Sequence, residues 1–223
     1  MEEIIEFIQA NRSLFDAAQA LSSVVNLLGW CLGSILLYFA WRRNSIKTVT
    51  VGPISFQMQE AAVTAAAAAA RDWQAKSPSQ KVDVPQIRAT VSRAFSPTIA
   101  ENLTGKSILW VDDNPSNNRL LVRTLERLGL DVEQAISTDT GLLAMQVRRF
   151  DLVISDMGRG ANMRAGYDLL KAIREQGNQV PFLVFAGSDT PQFRREAAER
   201  GAQLSTNDML ELMDWVVNLL GER

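Results

Sequence analysis

The chain has 223 residues, with 23 Lys and Arg against 25 Asp and Glu and a formal charge of −2. That balance lacks the basic surplus of a nucleic-acid-binding chain, so no nucleic-acid partner is expected. Histidine is absent and Cys31 is the single cysteine, which excludes imidazole catalysis, imidazole metal ligation and an internal disulfide.

In segment 1–20, Ile4, Ile5, Ile8 and Phe15 stand among polar residues, the pattern of a helix lying along a membrane interface or running on into the next segment. From Ala17 to Trp41 there is no charged residue. Leu21 to Trp41, at 1.5 Å per residue, is long enough to cross a bilayer core of about 30 Å. A single transmembrane helix is therefore expected over 21–41, with Tyr38 and Trp41 at an interface. Cys31, inside this stretch, reads as an inert apolar residue. Arg42, Arg43 and Lys47 follow the span, whereas Glu2, Glu3, Glu6 and Asp16 precede it with only Arg12. The basic flank stays inside, which predicts a single-pass protein of the inner (cytoplasmic) membrane with a cytoplasmic carboxyl-terminal domain. The acidic start and the lack of a small-residue cleavage site argue against a removed signal peptide. Gly29 and Gly33 share a face with Ser22 and Asn26, so two copies of the span can approach closely and a homo-oligomer in contact with membrane lipid is expected.

Residues 45–76 read as a juxtamembrane β-hairpin and an Ala-rich helix. Val49 and Val51 alternate before Gly52-Pro53, and Ile54, Phe56 and Met58 alternate after it, which predicts two strands and a tight turn. Glu60 to Lys76 contains six consecutive alanines, Ala65 to Ala70, and is predicted helical. Together these are expected to form a small module that stacks between copies of the chain. Residues 77–105, with Pro78, Pro85 and Pro97 among Ser, Thr and Gln, read as a linker holding a short helix from Pro85 to Phe95.

Residues 106–223 alternate strand and helix. Ile108, Leu109 and Val111 form an apolar run, that of a strand buried on both faces, and it ends in Asp112 and Asp113. Asn114 and Pro115 supply an N-cap and a first helical position. A helix follows to Leu128 with Leu120, Leu121, Leu125 and Leu128 inward, and Gly129 stops it. Then come a strand 132–136, a helix 138–149 with Leu142, Leu143 and Met145 to Val147 inward, and a strand 152–155 ending at Asp156. A helix 167–176, a strand 182–185, a helix 192–200, a strand 202–204 and a helix 208–220 complete the pattern. Such alternation with short links demands a parallel sheet with helices on both faces, an α/β domain. Ligand sites in such sheets lie beyond the carboxyl ends of the strands. If the first and third strands are neighbours, Asp112, Asp113 and Asp156 converge, and like charges so close call for a shared cation. Oxygen-only ligands favour Mg²⁺.

The segments ILWVDDNPSNNRLL, FDLVISDM and GYDLLKAIR resemble the receiver domain of two-component response regulators, over Lys106 to about Leu220. The resemblance implies a flavodoxin-like five-stranded parallel sheet, Asp156 as phosphoryl acceptor, Asp112 and Asp113 as Mg²⁺ ligands, and a histidine kinase or other signalling protein as partner. The chain departs from that pattern at the readout. Ala186 stands where receivers carry Thr or Ser, with Ser188 two positions on as a substitute. Ser205 to Met209 offers no Lys, and Leu204 and Ser205 replace the usual aromatic residue. The loop Met157 to Gly166 is about two residues longer than usual, and its Arg159 and Arg164 supply guanidinium groups able to replace the missing cation at a phosphate.

Three readings follow. The first is a membrane-anchored receiver phosphorylated at Asp156 that signals through oligomerisation. The second is a pseudo-receiver, never phosphorylated, acting as a membrane-tethered interaction, ligand-sensing or membrane-effector module. The third is a nucleotide hydrolase resembling Toll/interleukin-1-receptor-like domains, against which stands the lack of a Gly-rich phosphate loop. Beyond self-phosphorylation no enzymatic activity is expected. With the last helix ending near Arg223, a transcription-factor role is disfavoured.

Overall fold

In the computed structural model, which describes residues 52–77, 81–187 and 189–222, the apolar runs of the carboxyl-terminal region form one parallel sheet. Its strands are β1 (Ser107–Val111), β2 (Asp131–Ala135), β3 (Leu152–Ser155), β4 (Phe182–Phe185) and β5 (Leu204–Thr206). Their order is β2-β1-β3-β4-β5, so the order reverses between β1 and β3, whose partners run from Ile108 with Leu152 to Val111 with Ser155. Every residue of β1 and β3 is buried, as strands covered on both faces require.

The helices preceding and within the sheet are α1 (Gly52–Lys76), α2 (Val84–Ala94), α3 (Pro97–Leu103), α4 (Arg119–Arg127), α5 (Thr138–Val147), α6 (Ala165–Glu175), α7 (Pro191–Glu199) and α8 (Met209–Gly221). One core, built on Ile108, Trp110, Ile154 and Phe185, lies between the sheet and α1, α2, α4 and α8. The other, built on Leu109, Val111, Val153 and Val184, is covered by α6 and α7, with α5 at its margin. Alternate β1 residues thus feed opposite cores, as the strand period of two dictates.

The candidate span 21–41, its Gly29 and Gly33 face, segment 1–20 and the strand 47–51 lie outside the described residues. Among the described residues no helix is long and apolar enough to cross a membrane. The second hairpin strand is corrected: residues 52–58 are the first turns of α1, a helix of 25 residues. Once the alanine run has met the cost of nucleation, helix propagates toward Pro53, and three alternating apolar residues are too few to oppose it. Phe56 and Met58 are exposed rather than paired across a ladder.

The alanine helix finds its partners within this unit, Thr50–Arg223, where a module stacking between copies was expected. Ala62, Val63, Ala66, Ala67, Ala69 and Ala70 are buried against α4 and α2. Alanine offers little area, but its small methyl lets helix axes approach closely. The presumed linker 77–105 is also corrected. Pro85 and Pro97 stand in the first turns of α2 and α3, where a missing N–H costs nothing, and Asp83 caps α2 by accepting from Gln86 N at 3.0 Å. Thr90 Oγ1 and Arg93 Nη2 both donate to Asp214 on α8, at 2.7 and 3.1 Å.

Within the sheet domain the differences are local. A 3-10 turn, Pro115–Asn118, precedes α4, and Asn114 makes no capping bond. Helix α5 does not bury Leu143 and Val147, which are 60% and 81% exposed; it faces the sheet through Gly141, where a Cβ would lie 3.1 Å from Val111 Cγ2. A methyl there would be tight against the Val111 side chain. Strand β5 begins two residues later than expected, because Gly201 (φ 90°) and Ala202, whose N–H donates to Ala197 O at 2.9 Å, belong to the end of α7.

Candidate functional site

The site forms where β1 and β3, adjacent and parallel, both end in aspartates. Asp112 N donates to Ala135 O and Asp156 N to Val111 O, each at 2.9 Å, which extends the ladder by one residue and aligns the two chain ends. Carboxylate oxygens of Asp112, Asp113 and Asp156 consequently lie within 4.8 Å of one another. Asp112 is buried and accepts from Asn114 N at 2.7 Å and from Asn118 Nδ2 at 2.5 Å. Asp113 is exposed and accepts from Gly160 N at 2.8 Å. Half-buried Asp156 accepts from Met157 N through Oδ1 at 2.7 Å, and among the described residues Oδ2 has no donor.

The loop after β3 folds back over the acids, and Arg159 holds it there. Arg159 is 8% exposed. Its Nη1 donates to Ser155 Oγ (2.8 Å) and Asp156 O (3.0 Å), and its Nη2 to Thr138 Oγ1 (2.9 Å) and Ala165 O (2.7 Å). Its backbone exchanges two hydrogen bonds with Asn162, and Gly160, at φ 54°, makes the turn between them. Arg159, expected at a phosphate, is engaged within the protein. Its terminal nitrogens are taken by neutral oxygens that tie β3, α5 and α6 together. Arg164 is likewise committed, to Glu196 on α7. Gly166 permits a close approach of backbone to backbone, since a Cβ there would meet Asp156 O at 2.7 Å.

Burial and crowding set the charges. Burial raises the Asp112 carboxyl above the usual carboxylate range, opposed by the Asn114 N–H and reinforced by Asp113. Asp156 rises from 3.8 to about 6: burial is the main cause, the Met157 N–H opposes it, and the negative charge of Asp112 adds to it. The same burial lowers Arg159, although the three aspartates pull the other way. The pocket therefore holds more negative charge than its surroundings neutralise. An all-oxygen set of this spacing suits a hard divalent cation such as Mg²⁺.

Residues 108–205 match the family model of the response regulator receiver domain. They form a receiver-like domain. The chain is 38% identical over 125 residues to the sensor protein EvgS of Escherichia coli K12, covering 55% of this chain and 10% of that protein. It is 30% identical over 118 residues to the sensor histidine kinase RcsC of the same organism, covering 52% and 12%. The stretch shared with these curated relatives is thus about a tenth of their length. Among solved structures, the Francisella response regulator 1452 receiver domain aligns at 21% identity with a TM-score of 0.48, covering 53% of this chain and 98% of that one. The Vibrio cholerae chemotaxis protein CheY4 aligns at 26% identity and 0.47, covering 52% and 100%.

The receiver-like domain keeps the acids and changes what surrounds them. Ala186 directly follows β4 beside the acidic pocket, and Ser188 lies outside the described residues. Ser205 falls inside β5, paired with Val184. Thr206 Oγ1 bonds to Glu211, and Asn207 follows the strand. The Asn207 carbonyl accepts from Trp73 Nε1 on α1 at 2.8 Å, and the Trp73 ring lies 4.5 Å from that of Phe185. With small residues at these positions, a cavity of about 740 Å³ opens beside the acids. Met157, Met163, Tyr167, Ala186 and Phe193 form the apolar part of its lining, and Ser205 lines it too.

Sequence reading anticipated the three aspartates but not Asn118 or the cavity wall. Asn118 had one signal, its place one turn beyond Asp112 in a run of short polar residues. Tyr167 and Phe193 had none, because each sits where a helix would bury an aromatic anyway.

Proposed function

We propose that the receiver-like domain is the phosphorylatable input of a membrane-tethered signalling protein, with Asp156 as acceptor and Asp112, Asp113 and Asp156 holding Mg²⁺. The observation that carries this is the convergence of three carboxylates within 4.8 Å at the strand-order reversal. The Met157 N–H holds Asp156 Oδ1 and leaves Oδ2 to attack phosphorus in line. A new O–P bond forms as the bond to the donor's leaving group breaks. Bound Mg²⁺ supplies charge neutralisation at the equatorial phosphoryl oxygens. The donor class is a phosphohistidine of a histidine kinase or a small phosphodonor.

The output runs through α1. Its last turn rests on both loops that flank the site: Trp73 bonds to Asn207 after β5, and Lys76 Nζ bonds to Asn117 O after β1 at 3.0 Å. A shift of either loop moves the end of this helix, which leads back toward the apolar stretch 21–41. The length of that stretch, its basic flank and its Gly29 and Gly33 face support a single-pass tether in the inner membrane, a cytoplasmic receiver-like domain and self-association.

One observation favours a second reading. Ala186 stands where receivers carry a hydroxyl residue, Leu204 and Ser205 replace the usual aromatic, and Ser205 to Met209 offers no Lys, so the domain also suits a module that works without phosphorylation. Beryllofluoride with Mg²⁺, added to the full chain in detergent, separates the two. Under the first reading the amide resonances of 112–113 and 156–160 shift, and Asp156→Asn abolishes the shift. Unchanged spectra on adding both ions would leave the second reading standing.

A further inference from the structure

We infer that the cavity beside the acids binds a small organic cation, its ammonium group among the aspartates and its apolar body against Met157, Tyr167 and Phe193. This goes beyond phosphorylation and shares with it only the carboxylates.

Size is the first argument. A hydrated metal with one phosphoryl group displaces on the order of eight waters, about 240 Å³ at about 30 Å³ each. The cavity measures about 740 Å³, so most of it lies outside the volume such a group fills. It falls within the range of small-molecule sites, about 300–1,000 Å³, which are apolar clefts with a few placed polar groups.

Chemistry is the second. The apolar part of the lining is thioether, aromatic and methyl: Met157, Met163, Tyr167, Phe193 and Ala186. The charged lining is Asp113, Asp156 and Arg164, and Arg164 already pairs with Glu196. Arg159, the nearest other cation, turns its terminal nitrogens to Ser155, Thr138 and Ala165. A ligand entering this space meets net negative charge at one end and apolar surface along its length, so an ammonium or amidinium on an apolar body is the complementary class. An anionic ligand is repelled.

Ser205 is the third. It is 4% exposed and lines the cavity, yet among the described residues its hydroxyl has no hydrogen-bond partner. A ligand hydroxyl or carbonyl lying across Ala186 would hydrogen-bond to it.

Calorimetric titration of the full chain in non-ionic detergent with EDTA tests the inference, using 2-phenylethylammonium, neutral 2-phenylethanol and anionic 3-phenylpropanoate. Heats from detergent alone are subtracted. The ammonium probe is expected to bind in the millimolar range or tighter, the alcohol at least tenfold more weakly, and the anion not measurably. Ala186→Leu fills the cavity without touching an acid and is expected to weaken the ammonium probe at least tenfold. Phe193→Ala, on a half-exposed helical position, should weaken it several-fold and covers the case in which the leucine variant misfolds. Equal affinity for all three probes, no heat with the ammonium probe, or unaltered binding by both variants overturns the inference. In EDTA-free buffer, Mg²⁺ that binds while leaving the probe's affinity unchanged overturns it too, because the two cations need the same oxygens. Failure of Mg²⁺ to bind by itself counts instead against the phosphoryl reading, and the probe series still decides this one.

Discussion

Asp156→Asn should make the metal-free protein more stable at neutral pH, and the size of the gain follows from the crowding of the acids. A carboxyl raised in the folded state binds its proton more tightly there than in the unfolded chain. Its stabilising contribution is therefore complete below the unfolded value, near 3.8, and is lost as pH rises through about 6. At about 1.36 kcal/mol per tenfold change in proton affinity, the rise from 3.8 to about 6 corresponds to at most roughly 3 kcal/mol. One side of the pocket faces solvent, and screening reduces this to about 1–2 kcal/mol. An asparagine keeps the acceptor for Met157 N–H and removes the charge, so at pH 7.5 in EDTA the variant should melt about 3–6 °C higher. The gap should shrink as pH falls through 6 and approach zero only well below 3.8, at about pH 3, where the wild-type carboxyl is protonated in both states. Thermal unfolding by circular dichroism from about pH 3 to pH 8 measures it. Excess Mg²⁺ should raise the wild type and leave the variant nearly unmoved. A variant no more stable than wild type at pH 7.5, or a gap of the same size at every pH, would refute the picture of uncompensated charge.

Other substitutions probe the supports of the site. Arg159→Leu leaves the oxygens of Ser155, Thr138 and Ala165 without their donor and should cost about 2–4 kcal/mol in urea denaturation. Arg159→Lys should recover little, because a single ammonium cannot span that fork, and a lysine variant of wild-type stability would contradict the positioning role. Gly166→Ala forces a methyl onto the Asp156 carbonyl and should cost about 1–3 kcal/mol while displacing the Asp156 amide resonance; a superimposable spectrum would argue against it. Trp73→Ala removes the stacking on Phe185 and the bond to Asn207, for a loss of about 2–4 kcal/mol given its partial exposure. Amides of 207–209 should then stop responding when Mg²⁺ and beryllofluoride are added, and a preserved response there would disprove coupling through α1.

Much of this was legible from residue order alone. The apolar runs of β1, β3 and β4 next to amphipathic helices left one reasonable arrangement, because each of those runs had to be buried on both faces and each helix on one. The acids were legible for the same reason: Asp112, Asp113 and Asp156 end apolar runs, and a charge at the tip of a buried strand stands at the sheet's edge. The region ahead of the domain was less so. Alternation over Ile54, Phe56 and Met58 fits either periodicity, and the prolines of 77–105 mark a helix start as readily as a break. Local pattern does not choose between such states. The choice came from the buried face of α4 and the surface of α8, far along the chain, against which α1, α2 and α3 could bury their small faces.

Arg159 and the cavity belong wholly to the tertiary level. A loop arginine reads as a solvated or phosphate-binding cation until the fold surrounds it with neutral oxygens and occupies its terminal nitrogens. Likewise Ala186 and Ser205 are merely small until β4 and β5 lie side by side and the loop after β3 leaves space above them. Within 106–223, composition and periodicity determined which runs form strands, which form helices, and where negative charge gathers. Three-dimensional packing decided which of those charges lack compensation, because that depends on distances between residues the chain order keeps apart.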